Sequence, residues 1–173
     1  MSTTITFFPE NADNTCFLFS ILNTHFQAQI QSLDYSINPE VHLNHGFTDL
    51  LVTRNNHLAN PPDVKWQIIF EGKAGNGDNY LSTLNQLNGY AKQVFGQGGW
   101  CYLIAARGRT CMFWRYQKNT QWNIQPMSVN GANVAFTQAQ QIPWLPLSHQ
   151  YDIVDDQAEV LIMLTYITNN GPM

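Results

Sequence analysis

The chain has 173 residues, 44% of them hydrophobic and 12% charged, with a formal net charge of −4. That length suits one self-folding domain that buries roughly two thirds of its unfolded surface, and a net acidic balance is the reverse of what a dedicated nucleic-acid binder carries. No run of about twenty apolar residues offers a membrane span, and no charged n-region followed by an apolar stretch opens the chain.

Cys16, Cys101 and Cys111 cannot all pair with one another and lack the close spacing of a structural zinc site. The expectation is three reduced, largely buried thiols in an intracellular compartment, cytoplasmic or nuclear. All eight Lys and Arg residues lie between Arg54 and Lys118, where the acids are Asp63, Glu71 and Asp78; this stretch carries +5 against −5 before it and −4 after it. Either the cations gather on one positive face, or they are scattered over a surface rich in Asn and Gln.

Residues 3–8 form a short extended arm in this reading, and Asp13 or Asn14 caps a helix running to about Leu33, with Phe17, Phe19, Ile21, Leu22, Phe26 and Ile30 on its buried face. Asn38-Pro39 ends the connection that follows. Val41 to Thr53 is one extended segment, Arg54 to Asp63 a loop, and Trp66 to Lys73 the next strand. Gly72, Gly75 and Gly77 lead into a helix from about Asn79 to Phe95, which Gly96 to Gly99 stops. Trp100–Ala106 and Thr110–Tyr116 make a hairpin through Arg107-Gly108-Arg109, with Cys101 and Cys111 on opposite faces of the ribbon.

Beyond Lys118 the pattern weakens into a C-terminal elaboration of the same domain. Trp122–Val129 and Asn133–Phe136 are expected edge strands, and Gln138–Gln150 an irregular packed loop whose Trp144-Leu-Pro-Leu147 covers the core or a partner. A last helix starts near Asp155 or Asp156 and ends at about Ile167.

The chemistry concentrates at the end of the run Trp66-Gln-Ile-Ile-Phe70. The two-residue period of a strand turns Glu71 and Lys73 to one face, where an acid from a neighbouring strand, Asp49, completes a site. Two carboxylates offer hard oxygen ligands to Mg²⁺ or Mn²⁺, and a lysine beside them can orient water and offset developing negative charge, as phosphodiester hydrolysis requires.

The ordered set of Asp49, Phe70-Glu-Gly-Lys73, Gln86 to Tyr90 and the Trp100 to Tyr116 hairpin resembles the fungal branch of the PD-(D/E)xK nuclease superfamily. The resemblance covers about residues 45 to 116. It implies a restriction-endonuclease-like α/β fold, a central mixed sheet flanked by helices, and divalent-metal-dependent cleavage of a nucleic acid. By the same resemblance, Asp49 and Glu71 hold the metal with the Gly72 carbonyl as a third oxygen, and Lys73 faces the attacking water and the scissile phosphate. Gln86 is the polar helix residue beside the lysine, and Tyr90, Arg107 and Arg109 are possible substrate contacts. Glu10 or Glu40 is a possible further acid.

Each assignment has a structural alternative. Glu71 and Lys73 also suit an exposed pair at a strand end, and Asp49 a hydrogen bond to local backbone. Gln86 suits a helix surface, Tyr90 a packing position, and the two arginines a solvated turn. Asp63 follows a proline, as the family name spells it, but in one strand with Glu71 it stands roughly 26 Å away, too far to share an ion. His42, His45 and Asp49 fail as a metal trio because the odd separation of the histidines turns them apart. Gly72 to Gly77 lacks the lysine and hydroxyl residue of a phosphate-binding loop. The competing function is a noncatalytic module on the same scaffold, engaging a protein partner, a second copy or nucleic acid, with the tryptophans as interface or base-stacking residues.

Overall fold

A computed structural model describes residues 35–43, 46–56, 60–61, 63–95, 99–118, 123–137 and 148–172. The expected N-terminal arm and first helix, Cys16, Glu10, His45, Trp122 and most of the Trp/Pro-rich loop lie outside these residues, as do the side chains of His42 and Phe47.

The described chain forms β1 (Tyr35–Leu43), β2 (Gly46–Asn56), β3 (Asp63–Lys73), α1 (Tyr80–Val94), β4 (Trp100–Arg107), β5 (Thr110–Gln117), β6 (Ile124–Asn130), β7 (Asn133–Phe136), β8 (Tyr151–Asp152) and α2 (Gln157–Asn169). Strands β1 to β7 lie side by side in chain order, and β8 pairs with β5. β3 and β4 are parallel, joined by α1, while the remaining pairs are antiparallel. The domain is therefore α/β, with a mixed sheet flanked by two helices. No helix among the described residues is long and apolar enough to cross a membrane.

Both faces of the central strands are covered, so those strands are continuous apolar runs rather than alternating ones. On one side Leu50, Val52, Ile68, Phe70, Ile104 and Phe113 pack under α2 through Val160, Met163, Leu164 and Ile167. On the other, Leu51, Ile69, Leu103, Ala105 and Trp114 pack under α1 through Tyr80, Leu84, Leu87, Tyr90 and Ala91. Cys111 belongs to the α2 side and Cys101 to the α1 side, and burial raises both thiols above their ordinary range.

Two departures from the sequence reading concern β1 and β2. Val41 to Thr53 is not one segment; β1 begins at Tyr35 and pairs with β2 across residues 44 and 45. Pro39 lies inside β1, the outermost strand on that side among the described residues, and an edge strand tolerates a missing amide. The connection to β3 is also shorter than expected, since β2 continues to Asn56 and β3 opens at Asp63.

A register shift between Val52 and Thr53 leaves Gln67 as the extra residue of a bulge. This aims Gln67 at the end of α2, where its Nε2 donates to the Ile167 carbonyl at 2.6 Å, while the Tyr35 and Tyr102 hydroxyls donate to Thr168 and Asn170 carbonyls at 3.0 and 2.8 Å. Three strands thus satisfy carbonyls that the helix end cannot bond internally. At its N-terminus α1 is capped by Asn79, whose side chain accepts from the Ser82 amide at 2.9 Å.

Gly108 opens the two-residue loop between Arg107 and Thr110, which are paired across the β4–β5 hairpin, and has φ 55°. Its amide donates to the Lys73 carbonyl at 3.0 Å, and a Cβ there would lie 3.1 Å from Gly75 Cα. The hairpin turn is therefore docked on the loop that follows β3. Gly108→Ala should cost about 1–2 kcal/mol from the left-handed backbone alone, read as a thermal midpoint lowered by several degrees; an unchanged midpoint would show that the turn relaxes freely.

Candidate functional site

Asp49, Glu71 and Lys73 meet at the carboxyl end of β3, on the α1 side, and Arg107 is the β4 residue in register with Lys73. Strand alternation carries the α1-facing positions from Leu51 back to Asp49, from Ile69 on to Glu71 and Lys73, and from Leu103 and Ala105 on to Arg107. The pairing of Leu50 with Phe70 puts Asp49 next to Glu71, and the parallel register pairs Lys73 with Arg107. Clefts beyond the carboxyl ends of parallel strands are habitual ligand sites in open α/β sheets.

Glu71 is only 2% exposed. Its Oε1 accepts from Lys73 Nζ at 2.6 Å, and its Oε2 is buried with no hydrogen-bond partner. Burial pushes the Glu71 carboxyl above its ordinary value against the pull of Lys73; the Asp49 charge adds to the rise, and the Asp49 backbone amide works against it. Partial burial acts to lower Lys73, but the hydrogen bond and charge of Glu71 outweigh it and hold the ammonium above its ordinary value. Lys73 is accordingly a cation at neutral pH.

Asp49 is half-buried, and its Oδ2 accepts from the Gly72 amide at 2.7 Å. Asp49 thus bonds to the backbone of the neighbouring strand rather than to local backbone, and stands beside Glu71 with its second oxygen outside that contact. Thr48 anchors the neighbouring backbone through a 2.8 Å bond to the Phe70 carbonyl. Glu40 falls between the pairs Pro39–Leu50 and Val41–Thr48, opposite Asp49, and has φ 48°. Among the described residues no three His, Cys, Asp or Glu side chains group as a metal site, so Glu40 does not complete a trio.

Gln86 and Tyr90 share one side of α1, and Gln86 Nε2 donates to the Tyr90 hydroxyl at 2.7 Å. Among the described residues no hydrogen bond links Gln86 to the Glu71–Lys73 pair. Arg109 turns away from the site and pairs with Asp152 and Asp155 at 2.8 and 3.0 Å. Asp63 starts the strand that ends with Glu71 and Lys73, and pairs with Lys65 at 2.6 Å. Lys65 and Lys73 stand at opposite ends of β3, with Arg54 in register with Lys65 and Arg107 with Lys73.

Two neighbours of the site were not singled out by the sequence. Asp78 adds to the negative field at Lys73. The Tyr80 hydroxyl lies 2.7 Å from Thr110 Oγ1, which donates to the Arg107 carbonyl at 3.0 Å; burial pushes Tyr80 up to about 12. Asp78 reaches Lys73 through the short loop after β3, whereas the Tyr80–Thr110 contact beside Arg107 depends on the parallel register of β3 and β4.

A separate groove of about 440 Å³ lies between the β6–β7 turn and α2, lined by Asn133, Val134, Leu161, Ile162 and Tyr166 among others, with no ionic side chain. Compared with protein-family models, curated proteins and solved structures, the chain finds no match.

Proposed function

We propose that this chain is a divalent-metal-dependent phosphodiesterase acting on a nucleic acid, built on a restriction-endonuclease-like scaffold. The observation that carries the reading is the buried Glu71 Oε2, left without a partner on the face it shares with Asp49 and Lys73. A buried carboxylate oxygen without a donor is expensive in a fold unless something binds it.

The donor set fits Mg²⁺ or Mn²⁺. Asp49 and Glu71 each spend one oxygen on a protein contact and would offer the other to the ion, with the Gly72 carbonyl as a candidate third hard ligand. A bound ion supplies Lewis-acid polarisation of the phosphoryl group. Lys73, protonated at neutral pH, works as a cation: it holds the substrate phosphate and offsets charge that accumulates in the transition state. To act beside Lys73, Gln86 must exchange its Tyr90 contact for one across the site. The reduced thiols fit an intracellular setting.

One observation favours a noncatalytic module instead. Glu71 is almost wholly buried and already neutralised by Lys73, and Arg109 is taken by two carboxylates, as in a surface that binds without turnover. Incubation of single- and double-stranded DNA and RNA with the full chain in Mg²⁺ or Mn²⁺ separates the two. Cleavage that chelation and each of Asp49→Ala, Glu71→Ala and Lys73→Ala abolish is the expected result. Cleavage indifferent to all three substitutions, or metal-independent binding without turnover, would reject the hydrolase.

A further inference from the structure

We propose that Arg107 is an oxyanion-binding residue that anchors a phosphodiester next to the scissile one and does so without a metal ion. The inference rests on the phosphodiesterase reading for its substrate class, but its own physics is separate. Cys101, Leu103 and Ala105 all belong to the α1-side core, so Arg107 is the next β4 residue on that face. In the parallel register it is paired with Lys73, and neighbouring strands lie roughly 5 Å apart.

Arg107 Nε is buried and has no hydrogen-bond partner. Lys65 and Lys73 each have a carboxylate, and Arg109 has two. A guanidinium stays charged throughout the physiological range and presents its donors as a planar fork, the shape that binds phosphate with two parallel contacts. The unpartnered Glu71 Oε2 lies one diagonal step away, since Glu71 pairs with Ala105 and Lys73 with Arg107. Strand alternation puts both residues on the α1 side, where the Arg107 charge is felt at the Tyr80 hydroxyl. A phosphate at Arg107 gives that buried Nε donor its acceptor.

The backbone that carries Arg107 is held from two directions. Thr110 Oγ1 donates to the Arg107 carbonyl at 3.0 Å and meets the Tyr80 hydroxyl at 2.7 Å. The following amide, of Gly108, donates to the Lys73 carbonyl at 3.0 Å. The arginine therefore starts from a fixed base, which reduces the ordering that binding would otherwise require.

The test follows the Arg107 Nε–Hε resonance of the isotope-labelled full chain in EDTA as inorganic phosphate, or a ten-nucleotide single strand of DNA or RNA, is added. Saturable displacement of that resonance, by the strand at lower concentration than by phosphate, is expected. Arg107→Gln should weaken strand binding at least about tenfold, the loss of a charge-assisted contact, and lower the log K against log salt slope by about 0.7. Arg107→Lys should fall between, keeping the charge and losing the fork, and Lys65→Gln, paired at the far end of β3, should leave the resonance response intact. Binding and slope unchanged in Arg107→Gln would overturn the inference. So would an Arg107 resonance that Glu71→Gln displaces with no ligand present, because that reveals an internal ion pair. If strand binding depends on Arg107 but no metal supports cleavage, the anion site stands and the hydrolase falls. If cleavage by Arg107→Gln is undiminished, the anion site falls alone.

Discussion

Glu71→Gln is expected to stabilise the protein near neutral pH while removing hydrolysis. Burial holds the Glu71 carboxyl above its ordinary value of 4.5. Between that value and the raised one the folded state binds more protons than the unfolded state, so stability falls as pH rises through the window and stays lower above it. The amide keeps an oxygen for Lys73 and buries no charge, and Lys73 is open enough to reach water. Removing a carboxylate whose ionised form burial disfavours should raise the thermal midpoint, by about 2–4 °C for each kcal/mol gained in a domain this size. Thermal melts in chelator over pH 4 to 8 should therefore show wild type gaining stability on acidification towards pH ~4.5, with that segment flattened in Glu71→Gln. Activity should fall by about 10³-fold or more, because a metal ligand contributes several kcal/mol of transition-state stabilisation. A destabilised variant at neutral pH would mean that the Lys73 contact outweighs burial.

Asp49 allows its structural and chemical roles to be separated by two substitutions. In Asp49→Asn the side-chain oxygen still accepts from the Gly72 amide, whereas Asp49→Ala leaves that amide without its acceptor. Stability should change by less than about 0.5 kcal/mol in the first and fall by about 1–3 kcal/mol in the second. Both should lose about 10³-fold in metal-dependent rate, since neither carries a carboxylate for the ion. Were Asp49 only a backbone acceptor, Asp49→Asn would keep both stability and rate, so the rate of that one variant decides the point.

The parts legible in the sequence are those with local signals. The apolar runs Trp66–Phe70 and Trp100–Ala106, the glycine between Arg107 and Arg109, and the leucine spacing of α1 led to β3, β4, the β4–β5 hairpin and the helix that lie there. Less legible were features decided by neighbours. Pro39 reads as a break, yet on an edge strand its missing amide is harmless. Gln67 reads as one polar residue in a strand; the bulge turns it towards α2, where it satisfies a helix carbonyl. At the site, alternation put Glu71 and Lys73 on one face, but the pairing of Lys73 with Arg107 depends on a parallel register that two distant segments choose together. The run of cations along residues 54 to 118 likewise did not show that Lys65 and Lys73 stand at opposite ends of β3.

Direct titration of the full chain with Mn²⁺, followed by the loss of the free-ion paramagnetic resonance signal, tests the central claim most closely. One saturable site that Glu71→Gln and Asp49→Asn both remove, and that Mg²⁺ displaces, is the predicted result. No saturable binding by wild type, or a site retained in both variants, would contradict it.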